Sequence, residues 1–204
     1  MATLREAQKE MTRKLLLDAG VELFVSKGYT ATKVDDIASA AGTTRVTFYA
    51  YFPSKVDLMK ALISERLKAA RARVPAAEHG STERELVAVV EDGSTERIRA
   101  WLGAGARRWE MIRPYTTTAF EAAAVDPEIR ALFDEWLNEA IGDIEDGLNR
   151  AARFPAGTRR FRSVLAVTAL DHVARNWMPG QWGVEYEGML DTLTESWVGS
   201  IGRH

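Results

Sequence analysis

Residues Ile37–Lys55, IASAAGTTRVTFYAYFPSK, constrain this chain more than any other stretch. They read as a short helix, a turn at Gly42 and a second short helix that Pro53 stops. The second helix carries Thr43, Thr44, Arg45, Thr47, Tyr49 and Tyr51. A purely hydrophobic helix pair has no use for so many hydrogen-bonding side chains on so short a piece. A helix lying in the major groove of DNA does, because hydroxyls hold phosphates and a guanidinium reads guanine. Two helices joined by a short glycine-containing turn are the helix-turn-helix signature.

Composition bounds what surrounds this motif. The 204 residues suffice for one large domain or two small ones. The absence of cysteine excludes disulfides, thiolate metal sites and cysteine nucleophiles. No apolar run approaches the ~20 residues of a membrane span, and the charged N-terminus is unlike a signal peptide. A soluble, cytoplasmic protein without a membrane partner is expected. The net charge of −2 argues against nucleic acid at first sight, but its distribution does not. Residues 1–56 hold eight Lys/Arg against six Asp/Glu, and residues 57–204 nineteen against twenty-three. DNA affinity follows the local basic patch. A head this weakly basic predicts that tight binding needs two copies.

Nearly the whole chain reads as helix, and no segment alternates with period two, so the fold class is all-α. Helix one spans about Thr3–Lys27, with Thr3 and Glu6 as a capping box and Gly28 as its stop. Helix two runs from about Lys33 to Ala41, capped by Thr32, with Asp35 and Asp36 near the positive end of its dipole. Helix three follows Gly42. Helix four opens at Ser54 or Lys55 and continues to about Val74, with Leu58, Leu62 and Leu67 among its apolar positions. Pro75 then starts a linker, PAAEHGS. The sequence GSTER occurs at 80–84 and 93–97, each copy placed to open a helix. The second leads a helix with Ile98, Trp101, Leu102, Gly105 and Trp109 on one face. From Asp126-Pro127 runs the strongest amphipathic pattern: Ile129, Leu132, Phe133, Trp136, Leu137, Ala140, Ile141, Ile144 and Leu148. Two closing helices are expected at about Thr158–Met178 and Tyr186–Ile201.

The first 60 or so residues resemble the tetracycline-repressor (TetR) family of bacterial regulators. The residues that carry this are Arg13, Leu16-Leu17, Ala19, Leu23-Phe24, Gly28-Tyr29, Thr32, Ile37-Ala38, Ala41-Gly42, Phe48-Tyr49, Tyr51-Phe52, Ser54-Lys55 and Leu58. The chain departs from the pattern at Gly20, Lys33, Val46 and Ala50, the last two close to where DNA would lie. The resemblance implies a three-helix DNA-binding domain over 1–56, joined by helix four to a helical effector and dimerisation domain over 57–204. It also implies a homodimer on a palindromic operator, most often a repressor, released by a small effector.

Candidate DNA contacts are Thr32, Lys33, Thr43, Thr44, Arg45, Thr47, Tyr49, Tyr51 and Lys55. Arg45 sits early in helix three, where a side chain reaches guanine edges, while Thr43 or Thr44 is needed as the cap of that helix. Phe48 and Phe52, at i and i+4, fill the core and leave Tyr49 and Tyr51 to face phosphate. Lys55 adds an ammonium to the positive end of helix four. All six tryptophans lie beyond residue 100. Effector pockets are mostly apolar with few polar groups, which makes Trp101, Trp109, Tyr115, Phe120, Glu121, Trp136, His172 and Asn176 the candidate lining. Met189, Leu190, Leu193, Trp197, Val198 and Ile201, facing Phe161, Leu165, Thr168 and His172, are the expected dimer interface. His172, His79 and His204 show no ligand spacing, so neither a metal nor another cofactor is expected. No catalytic set is recognisable: Gly103-Ala104-Gly105 lies mid-helix with no preceding strand. An enzyme is therefore disfavoured. The other reading is a DNA-binding regulator controlled by a protein partner.

Overall fold

The structure is a computed structural model that describes residues 3–72 and 82–203. Among the described residues the fold is all-helical, as the sequence patterns require. The elements are α1 (Leu4–Lys27), α2 (Val34–Ala40), α3 (Arg45–Tyr51), α4 (Lys55–Ala72), α5 (Thr82–Asp92), α6 (Thr95–Ala123), α7 (Pro127–Arg150), α8 (Ala156–Asn176) and α9 (Tyr186–Ile201). The linker at 75–81, with His79, and the terminal His204 lie outside the described residues, as does the side chain of Leu67. Two compact units form, one from Met1–Ala69 with Pro114–Phe133, the other from Ala70–Arg113 with Asp134–His204. α6 continues through Pro114, whose missing N–H removes one helical hydrogen bond. The Thr118 hydroxyl donates to the Pro114 carbonyl at 2.7 Å just beyond. None of the described helices is long and apolar enough to cross a membrane.

In the first unit the capping box of α1 is present: the Glu6 N–H donates to Thr3 Oγ1 at 3.3 Å and the Thr3 N–H to Glu6 Oε2 at 2.6 Å. Gly28 ends the helix at φ +83°, a conformation other residues adopt only with strain. Leu16, Leu17, Phe24, Ile37, Phe48, Phe52 and Leu58 are buried and form the core of the head. Gly20 has a packing reason. A Cβ there would meet Leu58 Cδ2 at 2.7 Å, so the bare backbone admits the leucine of α4. Thr32 does not cap α2, contrary to expectation. It is buried one residue too early, and its hydroxyl donates to the carbonyls of Gly28 (2.8 Å) and Leu23 (3.2 Å). The capping position falls to Lys33, whose N–H is held by Asp36 Oδ2 at 3.2 Å.

The second unit is built on α9. Met189, Leu190, Leu193, Trp197 and Ile201 are buried against Leu86, Ile98, Leu102, Ile144, Leu148 and Ala166 of the same subunit. The expectation that this stripe faces a partner is thereby corrected: it is the subunit's own core. Trp197 stacks on Trp101 at 5.3 Å and donates its indole N–H to the Ala166 carbonyl at 3.2 Å. What α8 leaves outside is Phe161 and Leu165, 65% and 49% exposed, with Thr168 and His172 further along.

One cation ties two helix ends of this unit together. The Arg153 guanidinium donates to the carbonyls of Val90 (2.7 Å), Glu91 (2.9 Å) and Asp92 (3.3 Å) at the end of α5 and to Ile201 (2.8 Å) at the end of α9. Orphan carbonyls at helix C-termini carry partial negative charge, so one guanidinium satisfies and neutralises two ends. A Cβ on Gly93 would lie 2.4 Å from that guanidinium, and its φ of +69° also favours glycine. Burial lowers the Arg153 pKa, the cost of placing the charge there. Arg153→Met, which keeps the stem, should cost about 2–3 kcal/mol by orphaning these carbonyls. A melting curve should then fall by roughly 5–10 °C; an unchanged midpoint would show the carbonyls to be satisfied without the cation.

Candidate nucleic-acid interface

The α2–turn–α3 segment is held by its own backbone. The Thr43 N–H donates to the Ala38 carbonyl at 2.9 Å and the Gly42 N–H to the Ser39 carbonyl at 3.0 Å, so the turn closes on α2. Thr44 is the cap of α3: its Oγ1 accepts from the Thr47 N–H at 3.2 Å and lies 3.0 Å from the Thr47 hydroxyl. That leaves Thr43 as the threonine not engaged in capping. Phe48 and Phe52 are buried, their rings 5.9 Å apart, and the Arg13 guanidinium lies 5.2 Å over Phe52. Because those two rings point inward, the opposite face of α3 carries Arg45, Val46, Tyr49 and Ala50 into solvent.

Arg45 is not a loose side chain. Its Nη1 lies 2.9 Å from Asp35 Oδ2 on α2, its Nη2 donates to the Tyr49 hydroxyl at 3.4 Å, and its guanidinium sits 5.5 Å over the Tyr49 ring. The Asp35 carboxylate, more than Tyr49, raises the Arg45 pKa. Lys33 is exposed at the start of α2. Tyr51 is half-buried and lines a surface groove of about 440 Å³ with Glu6, Lys9, Glu10 and Arg13 of α1 and Ala50.

Lys55 and Thr32, both proposed from the sequence as DNA contacts, direct their polar groups inward. The Lys55 ammonium donates to the carbonyls of Tyr29 (2.7 Å) and Thr32 (3.0 Å) and lies 4.2 Å over the Tyr29 ring. Burial lowers the Lys55 pKa, and burial followed by Asp126 pushes the Tyr29 phenol up to about 12. The lysine at the start of α4 thus fastens the loop that leads into α2. Nothing in the sequence signals this, because Lys55 and Thr32 are 23 positions apart.

The candidate effector residues fall into both units. Trp101, Trp109, Trp136, His172 and Asn176 belong to the second, Tyr115, Phe120 and Glu121 to the first. Trp109 is buried in the core and Trp101 is half-buried against Trp197. Trp136 and Tyr115 are half-buried and Glu121 is exposed. Phe120 is 47% exposed, with its ring edge-on to Phe133 at 5.9 Å. His172 and Asn176 lie on the outer face of α8, where His172 stacks on Trp182 and Asn176 donates to the His172 carbonyl. Sequence reasoning missed two other side chains. The buried Trp177 Nε1–H and the Gln181 Oε1 have no hydrogen-bond partner, and the Arg113 guanidinium holds the Trp177 carbonyl at 2.8 Å. Only the polar ends of Trp177 and Gln181 carry the signal, which no periodicity reveals. Among the described residues no group of acidic, His or Cys side chains could hold a metal.

Residues 16–62 match the family model described as bacterial regulatory proteins, tetR family. The regulator SrpR of Pseudomonas putida is 36% identical over 66 residues, covering 32% of this chain and 31% of that protein. The chain thus matches under a third of that relative's length. The repressor LfrR of Mycolicibacterium smegmatis is 28% identical over 187 residues, covering 87% of this chain and 86% of LfrR. Among solved structures, a SmeT–triclosan complex superposes with a TM-score of 0.66 at 18% identity, covering 93% of this chain and 89% of that one. FadR of Bacillus subtilis in complex with stearoyl-CoA gives 0.59 at 20% identity, covering 92% and 98%. Residues 16–62, whose buried Phe48 and Phe52 turn Arg45 and Tyr49 outward, thus form a head of the tetR type, carried on a chain that shares the all-helical fold of these solved structures.

Proposed function

We propose that this regulator binds a roughly palindromic operator as a homodimer and releases it when a small, largely apolar effector enters the C-terminal helices. The division is that of the sequence, a DNA-binding domain over 1–56 and an effector and dimerisation domain over 57–204. The observation that carries the DNA reading is the exposed Arg45–Tyr49 face of α3 on a base of buried phenylalanines. In this reading Arg45 reads a guanine edge, Tyr49, Tyr51, Thr43 and Lys33 hold phosphates, and Thr44 and Thr47 keep the start of α3 in shape. Lys55 and Thr32 act by positioning α2. With two-fold symmetry the two α3 helices enter successive major grooves ~34–36 Å apart. Effector and DNA oppose one another by the same factor, as linkage requires.

Titrations on a duplex selected by the protein and on a random duplex test these roles. Arg45→Ala should lose about tenfold or more on the selected duplex and relax preference at one base pair per half-site, with a small change on random DNA. Equal losses on both would make Arg45 a phosphate contact. Lys55→Met should lower the melting temperature and weaken both duplexes together, whereas a lysine on phosphate would change the salt slope by about one unit and leave melting alone.

The second copy is expected on the outer face of α8. Phe161 and Leu165 recur at i and i+4 there and are exposed in the single chain, and adjoining α9 presents Thr192, Ser196 and Gly199, residues that let a partner helix approach closely. An isologous contact uses such a face twice. Leu165→Glu, which substitutes an exposed position, should yield folded monomers by sedimentation, with unchanged helical circular dichroism and much weaker operator binding. A dimer at micromolar concentration would move the interface elsewhere.

The effector reading is supported by solved structures of similar fold in complex with triclosan and with stearoyl-CoA, whose acyl chain is apolar, and by the unpartnered Trp177 Nε1–H and Gln181 Oε1, which suit a ligand with one acceptor and one donor. Triclosan and stearoyl-CoA are the first probes, followed by a panel of apolar metabolites. A bound ligand raises the melting temperature and weakens operator binding. Trp177→Phe keeps the buried ring and should reduce that ligand's affinity by about five- to tenfold. If no compound stabilises the protein, control by a protein partner replaces this part of the reading.

A further inference from the structure

We infer that Asp35, a carboxylate on α2, is a positioning residue that sets the sequence discrimination of this regulator by holding Arg45 in its reading pose and by opposing indiscriminate phosphate contact. The inference rests on the proposal that α3 reads DNA and deepens it. Asp35 and Arg45 pair at 2.9 Å with side chains 58% and 59% exposed. A pair this open to water adds little to the stability of the fold. Its consequence therefore lies in what happens at this surface.

Two effects follow from the geometry. An arginine side chain approaching DNA ordinarily loses rotamer freedom on binding, and fixing it beforehand removes part of that cost. Here it is fixed from both sides, by Asp35 Oδ2 on Nη1 and by the Tyr49 hydroxyl on Nη2, with the Tyr49 ring beneath. A guanidinium has five N–H donors, so three are left for a base edge after these two bonds. The Tyr49 oxygen accepts from Arg45 and keeps its own proton for a phosphate. The second effect is electrostatic. A guanidinium without a carboxylate beside it binds any phosphate, whereas the Asp35–Arg45 pair is neutral at a distance and donates only at close range. Affinity for arbitrary DNA is thus lowered while the directional bond to one base edge is retained, and discrimination is a difference between those two affinities.

Charge alone does not carry the argument, because Asp36 stands next in sequence and serves otherwise. Its Oδ2 accepts from the Lys33 N–H at 3.2 Å and lies 3.5 Å from Lys27 Nζ, and that backbone bond, with Lys27 and Lys33 nearby, holds its carboxyl below the usual range. The two acids carry the same formal charge on the same short helix, yet only Asp35 is paired with the arginine of α3.

The test uses the full-length protein and a random duplex pool. Preferred sites are selected with wild type, Asp35→Ala, Asp35→Asn, Asp35→Glu and Asp36→Asn, and each protein is titrated on the wild-type site and on a random duplex at several salt concentrations. Asp35→Ala should bind the random duplex about two- to fivefold more tightly at low salt and lose preference at the base pair that Arg45→Ala affects. The ratio of selected to random affinity should fall by about tenfold, with the melting temperature unchanged. Asp35→Asn should behave similarly, and Asp35→Glu should recover most of the ratio. Asp36→Asn, which keeps an acceptor for the Lys33 N–H, should leave the preference profile as in wild type. An unchanged profile and ratio for Asp35→Ala overturn the inference, as does an equal effect from Asp36→Asn, which would reduce it to net charge. If wild type selects no sequence at all, the reading of α3 as a DNA reader fails and this inference fails with it.

Discussion

The inward anchoring of Phe48 and Phe52 is the contact on which the head of this protein depends. α3 has only seven residues, too few to be stable alone in water, so tertiary packing must supply its structure. Two rings one helical turn apart, both buried, fix the rotation of α3 about its axis. That rotation decides which residues face solvent, and hence that Arg45 and Tyr49 stand outside while the Thr44 cap closes the first turn. The rest of the head supports this arrangement. Gly20 makes room for Leu58, and Lys55 ties down the carbonyls on either side of the turn into α2. α2 in turn supplies Asp35.

The second unit solves a different problem with similar means. Its core is an apolar mass around Trp197, but two of its helices end close together, and converging C-termini repel. Arg153 answers this by donating to four carbonyls from two helix ends. Both units therefore place a long cation among backbone carbonyls, Lys55 in one and Arg153 in the other. In each case burial lowers the cation's pKa, and charge-assisted hydrogen bonds offset that cost. Lys55, which the sequence assigned to a phosphate, and Arg153 act here as internal ties.

Patterns that repeat at helical spacing were readable without a structure. The stripe from Ile129 to Leu148 is buried or half-buried along α7 as its periodicity requires, and the first helix begins at the Thr3–Glu6 box and stops at Gly28. The division of labour on α3, phenylalanines inside and Tyr49 outside, was also readable, because i and i+4 share a face. Less readable was anything depending on which apolar face meets which. The α9 stripe looked like an interface because a terminal apolar helix needs a partner surface, yet that surface proved to be its own subunit. Of the residues that the sequence assigned to that interface, the exposed apolar pair is Phe161 and Leu165 on α8.

The sequence by itself determined the helical class, the position of the turn between α2 and α3, and the residue types carried by α3. These follow from local rules of capping, glycine geometry and periodicity, which act over a few residues. The tertiary structure alone decided that Asp35 meets Arg45, that the Lys55 ammonium turns inward, and that Trp177 and Gln181 keep polar atoms unpartnered in the interior. Those outcomes depend on the direction of side chains brought together from distant parts of the chain. A residue's type says what bonds it can form, and only packing says which partner is within reach.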